Sequence, residues 1–163
     1  AWTEVAHLDV LAAGANHDQT GGWDGQGQPH WTYFPERRFP FYRVGSFSAV
    51  EPSMTDGDRR NFYVEFAHRG DLDVNGKVDA SLVSLADAGL IDGVDSVEQV
   101  WCENVRHAYV LNDEHHGVAR DALIDWLKSE HVLSCGRYGN WEYSAMEDAL
   151  LHGKAAAVWA QQS

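Results

Sequence analysis

Short apolar runs divided by glycine and acidic turns fill the first two thirds of the chain, and helical spacing takes over in the last third. Residues 8–13 are apolar and stop at Gly14, which reads as a strand. Residues 30–33 and 41–48 are aromatic and separated by Pro-containing turn residues, which reads as a hairpin. Residues 61–68 alternate, with Phe62, Val64 and Phe66 on one face and Tyr63 and Glu65 on the other. The turn Thr55-Asp56-Gly57-Asp58 separates this strand from the one before it, and so short a connection implies antiparallel neighbours. From 78 to 90, Leu82, Leu85 and Ala86 recur at helical spacing, ending near Gly89 to Gly93. Residues 97–111 form a long strand or two broken ones, and 112–116 a polar turn. Residues 119–130 predict an amphipathic helix with Leu123, Trp126 and Leu127 on one face. Val132-Leu133-Ser134 is apolar enough for a short buried strand. Ala149, Leu150, Leu151, Ala155, Ala156, Ala157 and Trp159 mark a closing helix that starts near Ala145. The whole reads as an α+β fold over residues 1–163, taken as a single domain. It has a mostly antiparallel sheet with flanking helices, and ends in strand, glycine turn and long helix.

Composition narrows the function classes. With 163 residues, 44% hydrophobic and 23% charged, the chain is long enough for a sizeable core and has the make-up of a soluble globular protein. The net charge of −13 disfavours a nucleic-acid or anionic-membrane surface, and no apolar run is long enough to span a bilayer. No basic-plus-apolar signal segment opens the chain, and the only cysteines are Cys102 and Cys135, so reduced thiols and a cytoplasmic location are expected. Cys135 reads as a small buried residue, not a nucleophile, because no motif places a base beside it. Residues 14–29 hold five glycines among polar residues and read as a mobile loop. Those glycines make no G-x-G-x-x-G fingerprint, and the chain contains no P-loop, G-x-S-x-G or catalytic Cys–His signature. Asp113-Glu114-His115-His116 could suggest a metal, but adjacent residues in a turn rarely converge on one ion and no second ligand set is evident.

The stretch with the most chemistry runs from Cys135 to Glu147. Ser144 and Glu147 have capping-box spacing, so a helix should begin just after them with its N–H groups facing the glycine turn. Gly136 and Gly139 would let a ligand approach the backbone, which suits a phosphate or another electron-rich group. The plainer reading is an ordinary strand–turn–helix joint, with Met146 and Glu147 as core and cap. In the same plain reading Trp141 and Tyr143 merely cover the turn, Arg137 is a surface cation, and Arg43 is an exposed strand cation paired with Glu36.

Gly136-Arg137-Tyr138-Gly139-x-Trp141-x-Tyr143-x-x-Met146-Glu147 resembles the C-terminal flavin-flanking motif of the superfamily that includes UDP-galactopyranose mutase, protoporphyrinogen oxidase and the flavin amine oxidases. A second block, His30-Trp31-Thr32-Tyr33-Phe34-Pro35-Glu36 followed by Phe39-Pro40-Phe41-Tyr42-Arg43-Val44, resembles that family's H-x-x-YFPE…PF-x-R-[VI] segment. Ala108-Tyr109-Val110 is a weaker third match, and the three come in the family's order. The likeness runs from about His30 to Gly153 and corresponds to the second half of a family member. It implies FAD as cofactor, with Gly136, Arg137, Tyr138, Gly139, Trp141, Tyr143, Met146 and Glu147 lining it and Tyr42 and Arg43 facing substrate. By the same resemblance Arg137 would hold a flavin or substrate phosphate. The Rossmann half that binds FAD is not in this sequence. The implied protein is therefore the substrate-facing part of an FAD-dependent oxidoreductase or mutase, inactive alone and completed by a Rossmann-type subunit. The alternative is a non-catalytic binding or assembly module derived from the same fold. Because half of a shared core leaves apolar surface to cover, a tight hetero-partner or a homo-oligomer is expected.

Overall fold

The computed structural model describes residues 2–14 and 30–162. Of the expected glycine loop, 14–29, all but Gly14 lies outside them. Contacts group the chain into two compact units, Glu4–Arg106 and Ala1–Thr3 with His107–Ser163.

The first unit is built on a five-stranded sheet in the order β2-β3-β4-β1-β5. Its strands are β1 (Trp2–Ala12), β2 (Trp31–Tyr33), β3 (Arg43–Gly45), β4 (Arg60–His68) and β5 (Val97–Val110), and the β2–β3, β3–β4 and β4–β1 pairings are antiparallel. The α+β expectation therefore holds. β1 is longer than its apolar run implied, because its alternate residues pair with β4 from Glu4↔His68 to Ala12↔Arg60. That register sets Ala6 opposite Phe66, Leu8 opposite Val64 and Val10 opposite Phe62, so the middle of one face of both strands is apolar, with Glu4 and His68 at one end and the buried Arg60 at the other. The second hairpin strand is shorter than expected. After Gly45 the chain turns into a single helical turn, α1 (Phe47–Val50), capped by Ser46 Oγ on the N–H of Ala49.

Helix α2 (Val74–Asp87) begins with Asp73 accepting the N–H of Gly76 and contributes Leu82 and Leu85 to the core. It ends in a Schellman motif: Gly89 N–H donates to Ala86 O, Leu90 N–H donates to Leu85 O, and Gly89 takes φ +70°. Leu90 and Leu85, the two ends of that motif, are both buried among Leu8, Val10, Phe62 and Val64. Each such side chain stabilises the fold by about 1.5–3 kcal/mol through burial.

Gly45 is required by packing. A Cβ there would lie 2.1 Å from the Tyr63 ring. Gly45→Ala is therefore expected to displace Tyr63 and to cost about 1–3 kcal/mol of unit stability, read as a fall in the urea midpoint at unchanged slope.

The second unit holds the end of β5, then α3 (His116–Ser129), the single turn α4 (Gly136–Gly139) and α5 (Met146–Gln162). None of these helices has a buried residue. Leu123 and Trp126 of α3 are each 56% exposed, while Leu150 and Met146 of α5 reach 76% and 87%. The apolar stripes read from the sequence exist, with Leu127 and Trp159 half-buried and the remainder largely exposed. No helix among the described residues is long and apolar enough to cross a membrane.

One expected element is missing. Val132-Leu133-Ser134 is not a strand. Helix α3 closes with another Schellman motif, in which His131 (φ +58°) takes the place usual for glycine and Val132 N–H donates to Leu127 O. Cys135 itself is extended, at φ −151° and ψ 166°, but no described residue forms a ladder with residues 132–135. An extended segment becomes a strand only when a neighbour takes its N–H and C=O groups.

Candidate functional site

The glycine bend is a short helical turn with a strained exit. Asn140 N–H donates to Gly136 O, Trp141 N–H to Tyr138 O, and Glu142 N–H to Arg137 O. This is again Schellman geometry, with Trp141 at φ +49° in the position glycine normally fills. A bulky residue held left-handed costs about 1–3 kcal/mol and persists only where its surroundings impose it. Here His116 Nε2 meets Trp141 O at 2.7 Å, and the Trp141 ring lies against Tyr138 and His107. The sequence singled out Trp141 by resemblance, but nothing in its pattern announced the backbone strain.

The two glycines differ. Gly136 has φ +79° and nothing within 4 Å of a Cβ position, so its side of the bend is open. Gly139 is closed by the chain itself: Ser134 Oγ donates to its carbonyl at 2.7 Å and would lie 2.9 Å from an added Cβ. Arg137 is half-buried and not a free surface cation. Its guanidinium lies 5.4 Å from the Tyr109 ring centre and 4.9 Å from that of Tyr143, and reaches Ser144 O at 3.4 Å. Tyr109, noticed only as a weak motif match, is thus part of the Arg137 seat. Tyr138 and Tyr143 are 57% and 78% exposed.

The start of α5 differs from expectation in register. Ala145, not Ser144, is the capping position: Ala149 N–H donates to Ala145 O, and Asp148 Oδ2 accepts the N–H of Ala145 at 2.8 Å. This is one half of a capping box, shifted by one residue, and alanine has no oxygen to return the other half. Ser144 Oγ is buried and makes no hydrogen bond among the described residues. Glu147 is therefore not the cap, and Met146 is not core. Both carboxylates, Glu147 and Asp148, sit in the first helical turn and offset the positive end of the helix dipole. That arrangement accepts hydrogen bonds from hydroxyl groups more readily than it takes a phosphate. Cys135 is exposed, against expectation, because the segment that carries it has no sheet to enter.

A cavity of about 560 Å³ lies between α3, the bend and α5. At its wall Glu142 meets Arg120 at 3.5 Å, His152 at 3.5 Å and Asn140 Nδ2 at 3.2 Å. These contacts tie the bend to both flanking helices.

In the first unit, the sheet face away from the core carries a cross-strand row. Tyr33, Arg43, Glu65 and His7 are successive register partners on β2, β3, β4 and β1. Glu65 accepts from Arg43 Nε and from the Tyr42 hydroxyl at 2.9 Å, while Arg43 donates to the Tyr33 hydroxyl at 3.2 Å. Arg43 is thus paired with Glu65 and not with Glu36, because β-pairing sets residues 22 positions apart side by side. His7 lies over the Tyr63 ring and contacts Asp9 Oδ1 at 3.0 Å. Tyr42 and Arg43 belong to this unit, and the bend residues belong to the other.

The histidine turn is tied by hydrogen bonds. Asp113 Oδ1 accepts the N–H of His115, His116 points to Trp141 O, and no three ligating side chains converge among the described residues. Burial, with the Asp9 carboxylate nearby, pushes the Cys102 thiol up, so it is held as a thiol and not a thiolate.

No protein-family model matches the chain, and no curated protein does. Solved structures do. A crystal structure of reduced UDP-galactopyranose mutase superposes with a TM-score of 0.71 over 88% of this chain at 19% identity. The two share a fold. A protein from Pyrococcus furiosus matches with a TM-score of 0.42 at 12% identity over 85% of the chain, too loosely to carry an argument. The chain spans 29% of the mutase's length.

Proposed function

We propose that this chain is the substrate-facing C-terminal part of an FAD-dependent oxidoreductase or mutase, completed by a separate Rossmann part. The observation that carries the reading is the apolar stretch at 132–135, which has no strand assignment. It lies in sequence between two helices that expose Leu123, Trp126, Met146 and Leu150, and its backbone has no ladder partner among the described residues. An apolar stretch with a helix on either side in sequence is the pattern of a strand that enters a sheet packed between helices, and the strands it would pair with are read here as supplied by the Rossmann part. The 29% coverage of a flavoenzyme of the same fold supports this reading.

The bend fits a flavin in part. Gly136 leaves room for close approach, while Gly139 does not, because Ser134 fills that side. Arg137, held between Tyr109 and Tyr143, presents a rigid guanidinium suited to a phosphate or a flavin carbonyl. Glu147, in the first turn of α5, suits ribityl hydroxyls. Tyr138, Trp141, Tyr143 and Met146 supply apolar and aromatic surface around them. FAD, when bound, supplies the redox chemistry, while these residues bind and orient it. On the other unit, Tyr42 and Arg43, fixed by Glu65, would face the substrate.

The test is reconstitution. The chain alone should be colourless, and with an FAD-binding Rossmann part of a mutase-like protein it should retain flavin through gel filtration. Arg137→Ala should weaken that retention about tenfold or more, since a charge-assisted hydrogen bond contributes about 1.5–3 kcal/mol. Protein that stays colourless with every such partner would support the non-catalytic module instead.

A further inference from the structure

β5 ends the sheet order and has β1 as its only neighbour among the described residues, so the N–H and C=O groups of its other edge have no strand to meet there. The strand is 14 residues long, and Val100, Trp101 and Val105 are 39%, 58% and 37% exposed. Long unpaired edges pair with other strands unless something blocks them. The strand contains no proline and no lysine, and its charged side chains, Glu98, Glu103 and Arg106, admit only a partner that complements them. We propose that the outer edge of β5 pairs antiparallel with the same strand of a second copy, making one continuous sheet centred on Cys102.

The charge pattern selects both the partner and the register. A continuous two-fold sheet keeps the helix-covered face on one side, so the axis must pass through a residue and not between residues. Centring on Cys102 places Glu98 of each copy opposite Arg106 of the other, giving two opposite-charge pairs, with Val100 against Asn104 and Trp101 against Glu103. Centring on Glu103 would set that carboxylate against itself. Centring on Trp101 would put Glu98 opposite Asn104 and leave Arg106 facing Ser96. Only the Cys102 register complements charge. Arg59 Nε already holds Glu98 Oε2 at 2.8 Å, which fixes the carboxylate in place and leaves its second oxygen to accept from Arg106.

Light scattering and sedimentation equilibrium on the full chain test this. The expected mass is twice the 18.2 kDa of one chain. Arg106→Glu should weaken dimerisation about tenfold or more, because both symmetric pairs become repulsive, and Glu98→Arg should act alike. The double variant, Glu98→Arg with Arg106→Glu, should restore the dimer, although it cannot restore the Arg59–Glu98 contact within a chain. That difference separates pairing between copies from a loss of folding. A wild-type chain that is monomeric at all concentrations overturns the proposal. So does an assembly indifferent to both single variants, or a double variant that stays monomeric. None of these outcomes depends on flavin.

Discussion

Glu65→Ala is expected to destabilise the first unit by about 3–5 kcal/mol, the cost of breaking a largely buried ion pair. Glu65 is 8% exposed and accepts from both Tyr42 and Arg43. Removing it leaves the Arg43 guanidinium, whose side chain is only 20% exposed, without its carboxylate. Breaking the pair is costly because the cation has been taken out of water and its compensation is then removed. Glu65→Gln should cost less, since an amide oxygen can still accept from Tyr42. Replacing both partners together, Glu65→Leu with Arg43→Met, should cost less than Glu65→Ala alone, because no uncompensated charge remains. Urea unfolding followed by fluorescence measures all three. If Glu65→Ala proves near neutral, the row Tyr33–Arg43–Glu65 is not a stabilised cluster, and Arg43 is not held in the orientation proposed for substrate.

The second large effect is in the core. Leu85→Ala should cost about 2–5 kcal/mol, because Leu85 is fully buried and leaves a cavity against the sheet. Its side chain also lies in the same buried cluster as Leu90, the other end of the α2 Schellman motif. The instructive comparison is Leu150→Ala in α5, where the side chain is 76% exposed. In the chain alone that change should stay within about 0.5 kcal/mol. In the reconstituted complex it should weaken assembly, because the proposed partner would bury this face. An L150A variant that left both stability and reconstitution untouched would remove α5 as a docking face.

Much of the first unit was legible before any coordinates. Alternation at Phe62, Val64 and Phe66 assigned β4 and its buried face, and Leu82 and Leu85 assigned the covering helix, because both patterns report burial within a few residues of each other. What alternation cannot report is which strands lie side by side. The pairing of Arg43 with Glu65 instead of Glu36 followed from register across β3 and β4, a contact between distant positions. Even strand character itself depended on a neighbour at 132–135: the apolar letters were there, but the ladder was not.

The bend divides along the same line. Its glycines, aromatics and arginine, and their order, were set by the sequence alone. So was the acidic first turn of α5, though its one-residue shift in capping was not, because Asp148, and not Glu147, is the carboxylate that accepts a backbone N–H there. Only the tertiary structure decided that Gly136 stays open while Ser134 closes Gly139, that Arg137 sits between Tyr109 and Tyr143, and that Trp141 is held left-handed. Each of these depends on which side chain happens to stand a few ångströms away in space, which no local pattern of residues encodes.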